Sequence, residues 1–518
     1  MTISPSIMTT YGRIDIAFTH GEGSYLFSED GKKYLDYASG IAVNAFGHCH
    51  PKLVEALKDQ ASKLWHTSNL YRIPEQETVA EKLVKNSCVD RVFFCNSGAE
   101  ATEGAVKVAR RFAWANGEKD RTEIICATGA FHGRTLAMLA ANDRPLFREG
   151  FGPSAQGFTH VEWGDIESLK NKIGKHVAAI LVEPVQGEGG ARKAPIGYLK
   201  SLQDIANENG SLLISDEVQI GMGRSGTLFA YQQENIEPDI VALAKGLGGG
   251  FPVGAVMAKA KVGDAMIPGT HGSTFGGNPL AMRSANAVLD LLLEDEFLKT
   301  LKENITYFDN KMDALINDDD KVSPVILSKK GSGMLRGFHL TENFAAGDFG
   351  NISREKGLLL VGAAENTIRL LPPLNTSKEE IDQAFEILSE VVKEINRVLN
   401  EIDPFEEKVT EDLELVPLSV YNKTKMIAER VFLSYSKNMN IHCIRPATVC
   451  GYSPRMRLDV SVNMLTSQAL KNNKITVFGG DQTRPNIHIQ DMANIYRHFL
   501  NNPEIPSGCY NAGFENIS

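Results

Sequence analysis

Between residues 92 and 280 short apolar runs alternate with longer amphipathic stretches. The runs Val92–Cys95, Glu123–Cys126, Ala178–Glu183, Leu212–Ser215, Ile240–Ala244 and Gly254–Ala258 are too short and too continuously apolar for surface helices, so they read as buried strands. Strands separated by helical stretches predict a mostly parallel sheet with helices on both faces. Ahead of this region, Gly23-Ser-Tyr-Leu-Phe27 and Lys33-Tyr-Leu-Asp-Tyr37 alternate like two strands around the turn Ser28-Glu-Asp-Gly31, and the stretch from Pro51 to Leu64 is an amphipathic helix. After residue 280 helical periodicity dominates, beginning with Ala281–Leu293. The strand-like run Gly333–Leu340 and the helix Lys378–Val398 follow. The pattern up to residue 398 gives an opening segment (1–45), a large α/β domain (46–280) and a smaller α+β domain (281–398).

Composition alters this picture little. The 518 residues are 42% hydrophobic and 23% charged, as in an ordinary globular protein, and the net charge of -10 argues against a nucleic-acid partner. Seven cysteines lie scattered without a CxxC pair or metal spacing, which predicts reduced thiols. His48 and His50 flank Cys49, but no third ligand cluster accompanies them, and no metal is expected. The first 21 residues lack a basic-then-apolar signal pattern, and no apolar run is long enough to cross a membrane. The expectation is a cytoplasmic protein with no membrane partner.

The candidate chemistry lies at strand ends. Lys245 follows the Ile240–Ala244 run and precedes a glycine cluster; burial there would lower its pKa and leave a nucleophilic amine. Asp216 ends the Leu212–Ser215 run, so the acid and the lysine can face one crevice of the sheet. Ser97-Gly98-Ala99 follows Val92–Cys95 as a helix start, with Ser97 as N-cap and the free N–H groups of Gly98 and Ala99 as an anion seat. A phosphate seat, an aspartate and a lysine on an α/β sheet match the needs of pyridoxal phosphate. The run Gly221-Met-Gly-Arg-Ser-Gly226 fits the glycine pattern of dinucleotide sites, yet Thr227-Leu-Phe-Ala-Tyr231 gives no long helix after it, which argues against such a site.

On these motifs residues from about 8 to about 395 resemble the class III aminotransferases of the fold-type I group. The resemblance is carried by Gly40–Pro51, Leu64–Gln76, Ser97–Ala101, Phe131-His-Gly-Arg-Thr135, Glu183–Gly190, Asp216-Glu-Val-Gln219, Ala244-Lys-Gly246, His271–Pro279 and Arg369-Leu-Leu-Pro-Pro373. Within the family the branch acting on N-acetylornithine is the most similar. Ornithine, succinylornithine and N-succinyl-diaminopimelate remain alternative amine donors, because pocket shape decides among them.

The resemblance implies pyridoxal 5'-phosphate bound through Lys245, which would also move the substrate proton, with Asp216 on the pyridine nitrogen and Gln219 on the ring oxygen. It implies Phe131 and Val218 on the two ring faces, Ser97, Gly98 and Ala99 at the phosphate, and Thr274 reaching the phosphate in the other subunit of a homodimer. Arg134 and Arg369 would read substrate carboxylates. Glu188 would pair with Arg369 when N-acetylornithine is present and swing away for glutamate or 2-oxoglutarate. Ser273 would be a further substrate contact from the partner subunit.

At a junction, residues 399–408, this resemblance stops, and residues 409–518 form a distinct stretch. Val409–Glu429, Ile444-Arg-Pro-Ala-Thr-Val-Cys-Gly451 and Thr483–Asp491 resemble the NAD-dependent sugar-nucleotide epimerases and dehydratases. Tyr421 and Lys425, one helical turn apart, match that family's proton-transfer tyrosine and its lysine. No glycine fingerprint for NAD precedes this half, and the chain stops before that family's usual end. The expectation is a truncated, vestigial Rossmann-type half-domain that binds no NAD.

Overall fold

The computed structural model describes residues 6–319 and 324–401 and, of the remainder, 432–433, 436, 441–446, 448–450, 484–502, 504–512 and 516–517. The chain divides into two compact units, Met1–Glu394 and Ile395–Ser518.

A seven-stranded sheet forms the centre of the first unit. Its spatial order is Arg91–Cys95, Gly254–Ala258, Ile240–Leu243, Leu212–Asp216, Val177–Val182, Glu123–Ala127, Phe158–Val161. Leu212–Asp216 is parallel to both its neighbours, and every residue of it is buried, as a continuously apolar run requires. Gly254–Ala258 departs from the parallel pattern and runs antiparallel to both its neighbours. Hydrophobic periodicity carries no strand direction, so the sequence could not show this. The register then fixes the site. Asp216 pairs with Ala242, shortly before Lys245, while Cys95 pairs with Gly254. Cys95, Asp216 and Leu243 therefore end at one edge of the sheet.

Helix Gly98–Ala115 covers this sheet. Ser97, in an extended conformation, accepts from the Glu100 amide at 3.2 Å, and the Glu100 carboxylate accepts from the Asn96 amide at 2.6 Å. Its buried face is built from small residues, Ala101, Ala105 and Ala109, against Ile214, Ile240, Ala242 and Val256. The helix lies so close that a Cβ on Gly104 would come within 2.8 Å of Val256 Cγ2.

A second, antiparallel sheet has the order Ile326–Ser332, Leu335–Leu340, Thr367–Leu370, Val361–Ala363. Gly333, expected inside a strand, sits instead in the hairpin turn at φ +60°. The N-terminal strands Tyr25–Ser28 and Lys33–Asp36 pair as an antiparallel ribbon, and Lys33–Asp36 also pairs with Leu358–Leu359. Helices Pro51–Ala61, Pro279–Leu292 and Lys378–Glu401 form close to the spans that periodicity predicts. His48 Nε2 bonds Asp36 Oδ2 at 2.8 Å. The Gly221–Gly226 run is a buried turn, held by Arg224, which donates to the carbonyls of Met334 and Pro372 at 3.0 and 2.9 Å.

In the second unit His442–Pro446 pairs in parallel with Gly508–Ala512, and Thr448–Cys450 with Arg484–His488. Helix Ile489–Asn501 buries Met492 against Ile444 and Ile495. Tyr421 and Lys425 lie outside the described residues. Among the described residues, no helix is long and apolar enough to cross a membrane.

Candidate active site

At the common edge of the central sheet lies a cavity of about 380 Å³. Its wall includes Ser97, Gly98, Ala99, Phe131, Arg134, Glu188, Asp216, Val218, Gln219 and Lys245, which the sequence names from five separate segments. Lys245 opens a single turn of 3-10 helix with φ +44°, a left-handed conformation that an L side chain adopts at a cost. Burial, and then the charge of Arg369, push its pKa down to about 8. A substantial fraction of this amine is therefore neutral near physiological pH.

Asp216 is buried at the strand end, with Oδ1 accepting from the Val218 amide at 3.0 Å and Oδ2 bonded to His132 Nδ1 at 2.7 Å. Burial lowers the His132 pKa, but the hydrogen bond and charge of Asp216, with the charge of Glu183, outweigh it and leave the pKa raised. His132 and Glu183 both line the cavity, and neither has a role assigned from sequence. Glu183 accepts from the Phe131 amide at 3.0 Å, and burial pushes its pKa up to about 7. His132 lies beside Phe131 in a recognised motif, but its bond to Asp216 spans distant segments and leaves no local signal.

The candidate phosphate seat, Ser97, Gly98 and Ala99, lies in the cavity wall where the Gly98–Ala115 helix begins. A Cβ on Gly98 would stand 2.7 Å from Val218 Cγ1, so this turn has room only for glycine. Opposite, Arg369 is almost wholly buried. Its Nη2 donates to Glu188 Oε1 at 2.7 Å and to the Gly362 carbonyl at 2.9 Å, and its Nη1 to Gln219 Oε1 at 3.5 Å. Arg369 is thus behind the cavity wall, reaching it through Glu188 and Gln219. Gln219 Nε2 and Arg369 Nε are buried without a partner. Such orphaned donors beside an open cavity call for an acceptor from a bound group.

Ser273 and Thr274 are not in the wall. Ser273 Oγ accepts from Asn96 Nδ2, a cavity residue, at 3.2 Å, and Thr274 is exposed. Both stand on a loop tied to Asn69, whose Nδ2 donates to the Ser273 and Gly276 carbonyls at 3.1 and 2.9 Å.

The residues fit pyridoxal phosphate on their own chemistry: a helix start for a dianion, a buried carboxylate for a ring cation, an unpartnered amide donor for a ring oxygen, and a lysine amine whose charged form is disfavoured by burial.

Residues 7–392 match the model of the aminotransferase class-III family, and residues 397–513 that of the NAD dependent epimerase/dehydratase family. Acetylornithine aminotransferase 1 of Bradyrhizobium diazoefficiens is 47% identical over 381 residues, 74% of this chain and 93% of that protein. Acetylornithine aminotransferase 2 of Caulobacter vibrioides is 48% identical over 380 residues, covering 73% and 93%. Among solved structures, the ornithine aminotransferase of Toxoplasma gondii superposes with a TM-score of 0.73 at 30% identity, covering 76% of this chain and 94% of that one. The N-acetylornithine aminotransferase of Stenotrophomonas maltophilia gives 0.65 at 34%, covering 75% and 98%. The expected fold-type I architecture is present, and with the family model spanning most of its length, the chain belongs to the class III aminotransferases, pyridoxal-phosphate-dependent enzymes.

Proposed function

We propose that the protein transfers the ω-amino group of N-acetylornithine to 2-oxoglutarate, giving N-acetylglutamate semialdehyde and glutamate, a step of arginine biosynthesis. The observation that carries this reading is the Glu188–Arg369 pair beside the Lys245 cavity, with Arg134 free in the same wall. A transaminase must admit two unlike substrates. N-acetylornithine brings its carboxylate far from the reacting amine, whereas glutamate brings one on the reacting carbon. A buried arginine left unpaired costs about 3–5 kcal/mol. Glu188 spares Arg369 that cost while the amine substrate reacts, and yields it to the glutamate carboxylate afterwards. Arg134 takes the remote carboxylate.

Bound pyridoxal phosphate supplies an electrophilic aldehyde carbon and a ring that takes up the electron pair left when the substrate carbon loses its proton. The chain does the rest. The Lys245 amine would hold the cofactor and carry the proton from the substrate carbon. Asp216, fixed by His132, would keep the ring nitrogen protonated. The amides of Gly98 and Ala99, with Ser97, would hold the phosphate. Gln219 would donate to the ring oxygen, and Phe131 and Val218 would pack on the ring. Phe275 on the loop of Ser273 and Thr274 is an exposed apolar residue, as are Leu70 and Tyr71, which follow Asn69, the residue that ties that loop down. A patch of this kind favours a partner surface, which supports a homodimer in which that loop serves the neighbouring cavity. Cys49, Cys88, Cys95 and Cys126 are free thiols, which fits a cytoplasmic location. For residues from 409 on, we infer no dehydrogenase activity and no NAD site, because no glycine fingerprint that could cradle the NAD phosphates directly precedes that half in the sequence.

The test is the visible spectrum of the protein loaded with pyridoxal phosphate, before and after N-acetylornithine. Conversion of the cofactor band to that of pyridoxamine phosphate is expected. A stable band that answers only to ornithine or a succinylated donor would transfer the assignment to that substrate.

A further inference from the structure

Arg134 is the one arginine in the cavity wall, and among the described residues it makes no ion pair or hydrogen bond. An aromatic face holds it instead. Its guanidinium carbon lies 3.7 Å from the ring centre of Phe147 and 5.4 Å from that of Phe131. The two rings meet edge to face, 6.2 Å apart at 89°. A guanidinium lying on a ring spends its flat face there and keeps its N–H edge free for a carboxylate.

Phe147 is itself held in place. It belongs to the short helical turn Pro145–Arg148, and the Arg144 guanidinium carbon stands 5.3 Å from its ring centre. Arg144 Nη2 donates to the Glu188 carbonyl at 2.7 Å. Asn142, fully buried, joins the same segment to the Phe131–Arg134 motif, accepting from the His132 amide at 2.7 Å and donating to the Gly133 carbonyl at 2.9 Å. A line of contacts thus runs from Glu188 through Arg144 and Phe147 to Arg134, joining the two carboxylate-reading ends of the cavity.

We infer that Phe147 is a positioning residue that presents Arg134 to the remote carboxylate of the substrate, and so sets the preference for substrates that carry one. The inference rests on the transamination reading given above. Substrates with a carboxylate at that end gain from the ordered guanidinium; an amine lacking it gains nothing.

The experiment compares wild type, Phe147→Leu and Phe147→Tyr in two measurements. The first is steady-state turnover of N-acetylornithine and of its decarboxylated analogue, N-acetyl-1,4-diaminobutane. The second is calorimetric binding of glutarate, an unreactive dicarboxylate, to the cofactor-loaded protein. Phe147→Leu is expected to raise KM for N-acetylornithine and Kd for glutarate about 3- to 10-fold, with kcat within about twofold. KM for the decarboxylated analogue stays unchanged, and Phe147→Tyr restores both values. Unchanged glutarate binding in a folded Phe147→Leu protein overturns the inference, as does an equal loss with both amines, which would make Phe147 mere packing behind Phe131. If wild type ignores N-acetylornithine while Phe147→Leu still weakens glutarate, the substrate assignment fails and the positioning role stands.

Discussion

Lys245 is strained and underionised in the same place. Its positive φ aims it from the strand end, and burial with the neighbouring Arg369 lowers its pKa from 10.5 to about 8. Two results follow for the cofactor-free protein. Uptake of pyridoxal phosphate, followed by rapid-mixing absorbance, should quicken as pH rises toward about 8 and level off above it, whereas an ordinary lysine would keep gaining through pH 10. The folded lysine also gives up its proton more readily than the unfolded one, so its destabilising effect is complete below about 8 and fades as pH rises to 10.5. Lys245→Met should therefore raise Tm below pH 8 and lose that advantage in alkali, while abolishing transamination. Glu188 makes a different kind of statement. Removing it leaves Arg369 with only the Gly362 carbonyl and a long contact to Gln219. Glu188→Ala should slow the N-acetylornithine half-reaction by about tenfold or more and the glutamate half-reaction far less. Equal losses in single-turnover spectra would remove the switch from the mechanism.

At the scale of elements, the helix Gly98–Ala115 does two jobs with one end. Ser97 caps it, and the free amides of the same turn are the proposed phosphate seat. Ser97→Ala should lower the stability of the cofactor-free protein by about 1 kcal/mol and also weaken cofactor binding. Ser97→Asp separates the two effects: as a cap it should preserve Tm, while its charge beside the phosphate should cost affinity. Denaturation with and without cofactor reads both. This helix was legible in the sequence because everything that makes it is local: an apolar run, a capping serine, a glycine and small residues at helical spacing. Strand Phe158–Val161 was not, since a threonine and a histidine interrupt its apolar pattern. The Asp216–His132 and Glu188–Arg369 pairs were beyond periodicity because each joins residues far apart in the chain. Resemblance supplied the second pair and left the first unassigned. Phe147 escaped both routes, for an isolated phenylalanine carries no mark of the arginine that will lie on it.

At the scale of the molecule, the residues proposed for catalysis belong to Met1–Glu394, and the relatives it resembles are matched over nearly their whole length. A chain ending at residue 398 should keep the kcat and KM of the full chain, and NAD titration of the full chain followed by protein fluorescence should show no saturable change. A marked loss of transamination on shortening would show that the second unit supports the first. The antiparallel strand Gly254–Ala258 carries one more consequence. It stands between Arg91–Cys95 and the rest of the central sheet, although it is made long after Arg91–Cys95. During synthesis, then, the strand that leads into the phosphate seat waits as an orphan at the ribosome until its clasp emerges. A nascent chain lacking residues 254–258 has the seat's sequence but no fixed seat, so capture of the vitamin-derived cofactor becomes a late checkpoint that only a finished sheet can pass.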